Sequence, residues 1–374
     1  MNFKSLLNVL SISTLYIDQH VVNSTHVRSI QSRIDAPVII VDDVQKVFES
    51  VLRAGDPVKA GKESLFLTFN KGTFIRKCPG TRFYTCCGYC ILNIGTFCTM
   101  DCSYCILQTY FHPPILQLFV NYQDMSRELE MLFSEKKLTR IGTGEFTDSL
   151  IWENWTDLSH FLVTNFSTQS HAVLELKTKT TTVEKLGRLR HNRKTIVAWS
   201  LNTDQIIRNE EHGTAPLFSR LNAAAKCESW GYPLAFHFDP MVIYDGCEKD
   251  YRQVVEALFS RISPDNIAWI SLGSFRFIPS LKTIIQERFP KSKIIYGEFI
   301  PGMDGKMRYF KTLRIDLYCK IVSWIREIAP NLLIYFCMED DEVWKRALGF
   351  MPSQHGGLSQ MLDERAMLIS GLDI

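Results

Sequence analysis

The sequence predicts an α/β fold, a partial (β/α)6 barrel with additions at both ends. Six short apolar segments, rich in β-branched and aromatic residues, recur between positions 91 and 272. Helical stretches separate them, and strand–helix alternation implies parallel pairing with right-handed crossovers. A run of cysteines directly follows the first of these strands, and barrels of this kind gather functional groups at the C-terminal ends of their strands.

Residues 1–75 read as an N-terminal α/β extension. Strands are expected at 14–18, 37–41 and 65–69, and a helix at 45–54. The opening residues 1–10 are weakly apolar but lack a cleavage site or a sustained apolar core, so no signal peptide is expected. Residues 76–350 read as the barrel. Its strands are expected at 91–94, 138–142, 173–177, 195–201, 234–238 and 267–272. Its helices are expected at 124–136, 155–165, 183–190, 216–230, 251–262 and 280–288. A Gly-rich loop at 297–309, a long helix at 312–328 and a strand at 332–336 close the compact part. Residues 351–374 carry Pro352, Gly356 and Gly357 and read as a loosely held tail.

Composition narrows the class. The chain has 374 residues, 46% hydrophobic and 22% charged, as in ordinary globular enzymes. A formal net charge of +2 neither demands nor excludes a nucleic-acid partner. The basic stretches at 188–194 and 306–308 read as solvated helix ends or loops. Seven of the eleven cysteines fall between Cys78 and Cys105, which indicates metal binding in a reducing compartment and not a disulfide framework. No uninterrupted apolar run approaches a membrane span, so a cytoplasmic enzyme with no membrane partner is expected.

The chemistry starts at Cys98-Thr-Met-Asp-Cys102-Ser-Tyr-Cys105. Three thiolates at this spacing can hold three corners of a [4Fe–4S] cube, whereas clusters usually receive four cysteines. The remaining iron is then free to chelate a small molecule. Zinc loops instead favour paired C-x2-C elements. The run resembles the cluster loop of radical S-adenosylmethionine (SAM) enzymes. That resemblance implies a cluster on Cys98, Cys102 and Cys105, with SAM on the open iron. It also implies reductive cleavage of SAM to a 5′-deoxyadenosyl radical, fed by an electron donor such as flavodoxin or ferredoxin. Tyr104 holds the place of the aromatic residue that lies near the adenine. Gly142-Thr-Gly144-Glu145, after the second predicted strand, resembles the motif that holds the methionine amino group. Read from its residues alone, it could equally be a βα turn capped by Thr147 or Asp148.

Further stretches resemble the spore photoproduct lyase family in order, from about residue 14 to about residue 337. They include Cys105-Ile-Leu-Gln-Thr-Tyr, Thr178-Lys179-Thr, Trp199-Ser200-Leu-Asn202, Gly213-Thr-Ala-Pro216 and Gly231-Tyr-Pro. The resemblance implies that Lys179 and Ser200 contact SAM and that the radical abstracts hydrogen from a pyrimidine lesion or base in DNA. Two features depart from the family. Its thiol hydrogen donor after the second strand is replaced by Glu145. An added segment, Cys78-Pro-Gly-Thr to Cys86-Cys87-Gly-Tyr-Cys90, precedes the cluster loop. Cys78, Cys86, Cys87 and Cys90 have three open readings: a second metal site, a substitute hydrogen donor, or small buried residues. Strand alternation puts His237 and Asp239 on one face, His237 as a candidate SAM or substrate contact. Tyr244 and Tyr309 are candidate substrate or relay residues, while Cys227, Cys247, Cys319 and Cys337 read as structural. Two alternatives remain: a radical SAM enzyme acting on a nucleotide, peptide or metabolite, and a non-enzymatic cysteine-rich metal module.

Overall fold

The computed structural model describes residues 12–372 except Arg82. The reading of residues 1–10 therefore lies outside the described residues. The central sheet has eight strands. In spatial order they are Ile75–Lys77, Cys90–Leu92, Thr139–Gly142, Ala172–Thr178, Thr195–Ser200, Leu234–Met241, Ile267–Ser274 and Ile334–Phe336. Only the first pair is antiparallel; the other seven strands run parallel and curl into a partial barrel. Their interiors are continuously buried, as strands covered on both faces must be. Helices Tyr122–Ser134, Leu158–Ser167, Leu217–Ser229 and Cys247–Phe259 form the crossovers. The expected helix at 183–190 is a short 3-10 stretch, Glu184–Arg188, whose Gly187 packs against the Trp230 ring.

The N-terminal unit does not stop at residue 75. Its strands Thr14–Asp18, Val38–Val41 and Ser64–Thr68 are parallel, and Leu116–Phe119 and Gly95–Thr96 extend the same sheet. Both added strands flank the cysteine loop, so the loop hangs between the two sheets. One apolar core runs through both, from Leu15 and Leu65 to Leu174 and Val197. Buried Lys62, at the end of helix Pro57–Lys62, donates to the Met100 carbonyl and pairs with Asp101 at 3.2 Å.

The C-terminal reading needs correction. Residues 351–374 do not form a loose tail: Leu358–Ser370 is a helix that buries Leu358, Leu362, Ala366 and Ile369. Gly356 and Gly357, at φ +76° and +97°, turn the chain into it. The helix is also tied by charge. Arg140, with its side chain only 5% exposed, bonds Asp363 at 2.6 Å and the Cys87 carbonyl. Arg365 donates to the carbonyls of Ile267 and Ala268 at 2.6 and 3.0 Å. Asp363→Ala leaves a buried guanidinium short of its anion and is expected to cost about 2–3 kcal/mol. A lower urea midpoint at unchanged slope checks this; an unaltered midpoint would mean the helix contributes no restraint.

Candidate active site

The chain turns through φ +70° at Phe97, a left-handed conformation that is strained for a bulky side chain, immediately before Cys98. The Phe97 N–H donates to Phe146 of the second strand's loop at 2.9 Å, which joins the two βα turns. Gln108 then gathers the loop from behind. Its Nε2 donates to the carbonyls of Cys102, Ser103 and Cys105 at 3.1–3.3 Å. Arg288 donates to Gln108 and grips both Asp101 oxygens at 3.0 Å. Ser103 donates its hydroxyl to Glu210, which also accepts from Ser292 at 2.7 Å. The loop is thereby fixed by side chains from several elements, with its thiols turned inward.

Burial pushes the Cys98 thiol up to about 12 and raises those of Cys102 and Cys105 as well. These sulfurs need a cationic partner to ionise, and bound irons would supply one. The donor set, three thiols on one short loop without a disulfide, fits a cube with one corner left open. Among the described residues no three His, Cys, Asp or Glu side chains converge on a single ion. That holds for Cys98, Cys102 and Cys105 as it does for Cys78, Cys86, Cys87 and Cys90.

Residues expected beside the cofactor gather at the same strand ends. The Lys179 ammonium lies 5.8 Å from the centre of the Tyr104 ring. Burial opposes the Lys179 charge most strongly, yet Glu211, Cys102 and Cys105 raise its pKa overall. The Tyr104 hydroxyl donates to Glu211, which pairs with Arg220 at 2.6 Å; both charged side chains are essentially inaccessible. Arg220 also donates to the Ser200 and Ala215 carbonyls at 2.9 and 2.7 Å. Asp148 accepts from Leu150 N, Thr178 Oγ1 and Lys179 N at 2.8–2.9 Å, which fastens the second strand's turn to the third strand. Gly142 lies so close to Tyr89 that a Cβ there would fall 1.8 Å from the Tyr89 hydroxyl. At Gly144 a Cβ would stand 3.0 Å from the Lys177 side chain. Glu145 projects exposed from this turn.

The barrel interior is polar. His237, buried as expected, has its Nε2 3.5 Å from Glu175 Oε1. Asp239 pairs with Arg276 at 3.0 Å. Cys87 lies in the electrostatic range of Tyr335 and Cys337, while Cys86 is exposed. A hydrogen bond from Cys87 holds the Cys86 thiol down near 5. Cys78 and Cys90 are half-buried. Tyr244 is engaged by Thr203 and Asp250 at 2.7 and 2.8 Å, and Tyr309 is buried and accepts from Ile243 N at 3.3 Å. Sequence reasoning missed Glu211, Arg220, Glu175, Arg276 and Tyr335. Two had a signal: Arg220 sits on the apolar face of its helix with Leu217, Leu221 and Ala224, and Glu175 interrupts an apolar strand.

Comparison with known proteins follows the same lines. The family model for spore photoproduct lyase matches residues 83–311. The spore photoproduct lyase of Bacillus subtilis (strain 168) is 30% identical over 256 residues, covering 66% of this chain and 75% of that protein. That of Clostridium acetobutylicum is 23% identical over 273 residues, covering 72% and 74%. A spore photoproduct lyase complexed with dinucleoside spore photoproduct superimposes with a TM-score of 0.76 at 20% identity, over 87% of this chain and 99% of that one. A variant with bound AdoMet and the same dinucleoside gives 0.74 at 20% identity, over 87% and 98%. These structural matches establish the shared fold, a curled parallel half-barrel. The chain belongs to the spore photoproduct lyase family of radical SAM enzymes.

Proposed function

We propose that Cys98, Cys102 and Cys105 hold a [4Fe–4S] cluster, and that the enzyme acts on a pyrimidine lesion in DNA of the spore-photoproduct type. One observation carries the reading: the loop that holds all three thiols lies beside Lys179, which feels Cys102 and Cys105 and stands 5.8 Å from the Tyr104 ring. When bound, the cluster and SAM supply a 5′-deoxyadenosyl radical by reductive cleavage. Lys179 is a half-buried cation with the right charge for the SAM carboxylate. Gly142 and Gly144 let the turn pack against Tyr89 and Lys177, and Glu145, exposed on that turn, is the acceptor for the methionine ammonium. Tyr104 and Ser200 border the nucleoside end. The Glu175–His237 and Asp239–Arg276 pairs line the interior with donors and acceptors suited to base edges.

Eleven free thiols suit a reducing compartment such as the cytoplasm, and no described helix is long and apolar enough to cross a membrane. The electron is expected from a flavodoxin or ferredoxin. The decisive assay supplies reconstituted enzyme, SAM and a one-electron reductant with dinucleoside spore photoproduct. Thymine release supports the reading; an intact lesion alongside continued 5′-deoxyadenosine formation overturns it. Cys102→Ala is expected to reduce iron from about four per chain to nearly none, measured by iron content and absorbance after anaerobic reconstitution. Lys179→Met is expected to keep the iron but weaken SAM binding by about tenfold or more, measured by equilibrium dialysis.

A further inference from the structure

We propose that Cys337 is the hydrogen-atom donor that quenches the substrate radical, in place of the thiol missing after the second barrel strand. The proposal rests on the function read above. Electron counting creates the need. Removing a hydrogen atom from a closed-shell lesion leaves an odd electron, and cleaving the bond between two bases moves that electron without pairing it. The product becomes closed-shell only by gaining a hydrogen atom. At the second strand's end stand Gly144 and Glu145, neither of which carries sulfur.

Strand register places Ser200, His237, Ser271 and Tyr335 in one row across the barrel. Cys337 lies two residues beyond Tyr335, hence on the same inward face, with its N–H donating to the Leu272 carbonyl at 3.0 Å. Its sulfur accepts from Arg276 Nη2 at 3.4 Å. The thiol feels Asp239 of the fifth barrel strand, Lys177 of the third and Glu145 after the second. Cys337 is half-buried, and its contact with Arg276, which pairs with Asp239 at 3.0 Å, sets the sulfur beside that interior ion pair. A second observation points to a ligand in that space. His237, 8% exposed and one row below, makes no formed hydrogen bond through Nε2, whose neighbour Glu175 Oε1 stands 3.5 Å away. Such a buried orphan is costly unless a bound molecule completes it.

Burial favours the S–H form at Cys337 as it does at Cys78, Cys87 and Cys90, so position singles out Cys337 among them. Burial raises the Cys337 thiol to about 11, with Arg276 opposing, so at neutral pH it keeps its S–H. Cys86 is exposed, and its hydrogen bond with Cys87 lowers its pKa, which disfavours the S–H form there. In the step, the Cys337 S–H bond breaks and a C–H bond forms on the product base, leaving a thiyl radical. A small-molecule thiol then returns a hydrogen atom to Cys337, and two of the resulting small thiyl radicals couple to a disulfide.

The test is a single turnover of dinucleoside spore photoproduct in D2O, with dithionite as reductant and no added thiol. The unmodified enzyme is expected to place one solvent deuterium in the thymine product. Cys337→Ala and Cys337→Ser are expected to lose it at least tenfold while still forming 5′-deoxyadenosine, and Cys87→Ala to retain it. Equal deuterium from the Cys337 variants, or loss in Cys87→Ala alone, overturns the assignment and leaves the function standing. No lesion turnover by the unmodified enzyme overturns both. A measurement without turnover guards against misfolded variants: in cluster-free protein, the dinucleoside is expected to slow N-ethylmaleimide labelling of Cys337 at least threefold. An unchanged rate makes Cys337 a structural thiol and refutes the proposal.

Discussion

Buried Arg220 pairs with buried Glu211, half-buried Lys179 lies in the field of the same carboxylate, and the functional end of the barrel is organised around these three charges. A buried ion pair is seldom kept for stability, because desolvation consumes most of its attraction. Here it fixes position. Arg220 ties its helix to the end of the fourth barrel strand through Ser200, and Glu211 fixes the Tyr104 hydroxyl. The unmatched positive charge falls on Lys179, which faces Cys102 and Cys105. Cluster thiolates and the SAM carboxylate are both negative, so a loaded site would supply the missing charge.

The cysteine loop is held from the opposite side by parts of the chain that are remote in sequence. Lys62 comes from the N-terminal unit and Arg288 from the helix after the sixth barrel strand, and both converge on Asp101. This explains why the N-terminal sheet takes in Leu116–Phe119 and Gly95–Thr96. The unit forms one wall of the site. Held from so many sides, the loop has little conformational freedom, and strain at Phe97 persists only because the surroundings over-determine it.

Much of this was legible in the sequence, because parallel strands buried on both faces must be short apolar runs, and the six barrel strands are. The cysteine loop and the glycine turn were placed correctly after the first and second barrel strands because their motifs sit directly behind apolar runs. Three things were not. The turn glycines Gly356 and Gly357 resemble tail residues until the apolar spacing of Leu358, Leu362, Ala366 and Ile369 is set against the barrel floor. Leu116–Phe119 looks like any apolar run until its partner strand is known, since pairing is non-local. The charges Glu211, Arg276 and Asp101 look like surface residues in one dimension, and their burial depends on partners up to 187 residues away.

The same distinction explains how one chain can keep so many thiols and give them different work. Burial among apolar atoms disfavours the thiolate, so interior cysteines hold their protons unless a metal or a cation compensates. The loop cysteines would meet that condition with the proposed cluster bound. Cys86 meets it at the rim, where the Cys87 S–H donates to it and Arg140 adds positive charge. Cys337 does not, because Asp239 and burial together outweigh Arg276. A nucleophile or metal ligand must lose its proton and a hydrogen-atom donor must keep it. In this barrel that choice is made by where each sulfur lies, in the loop, at the rim or in the interior, and Glu145 could replace a sulfur after the second strand because another already faced the same space.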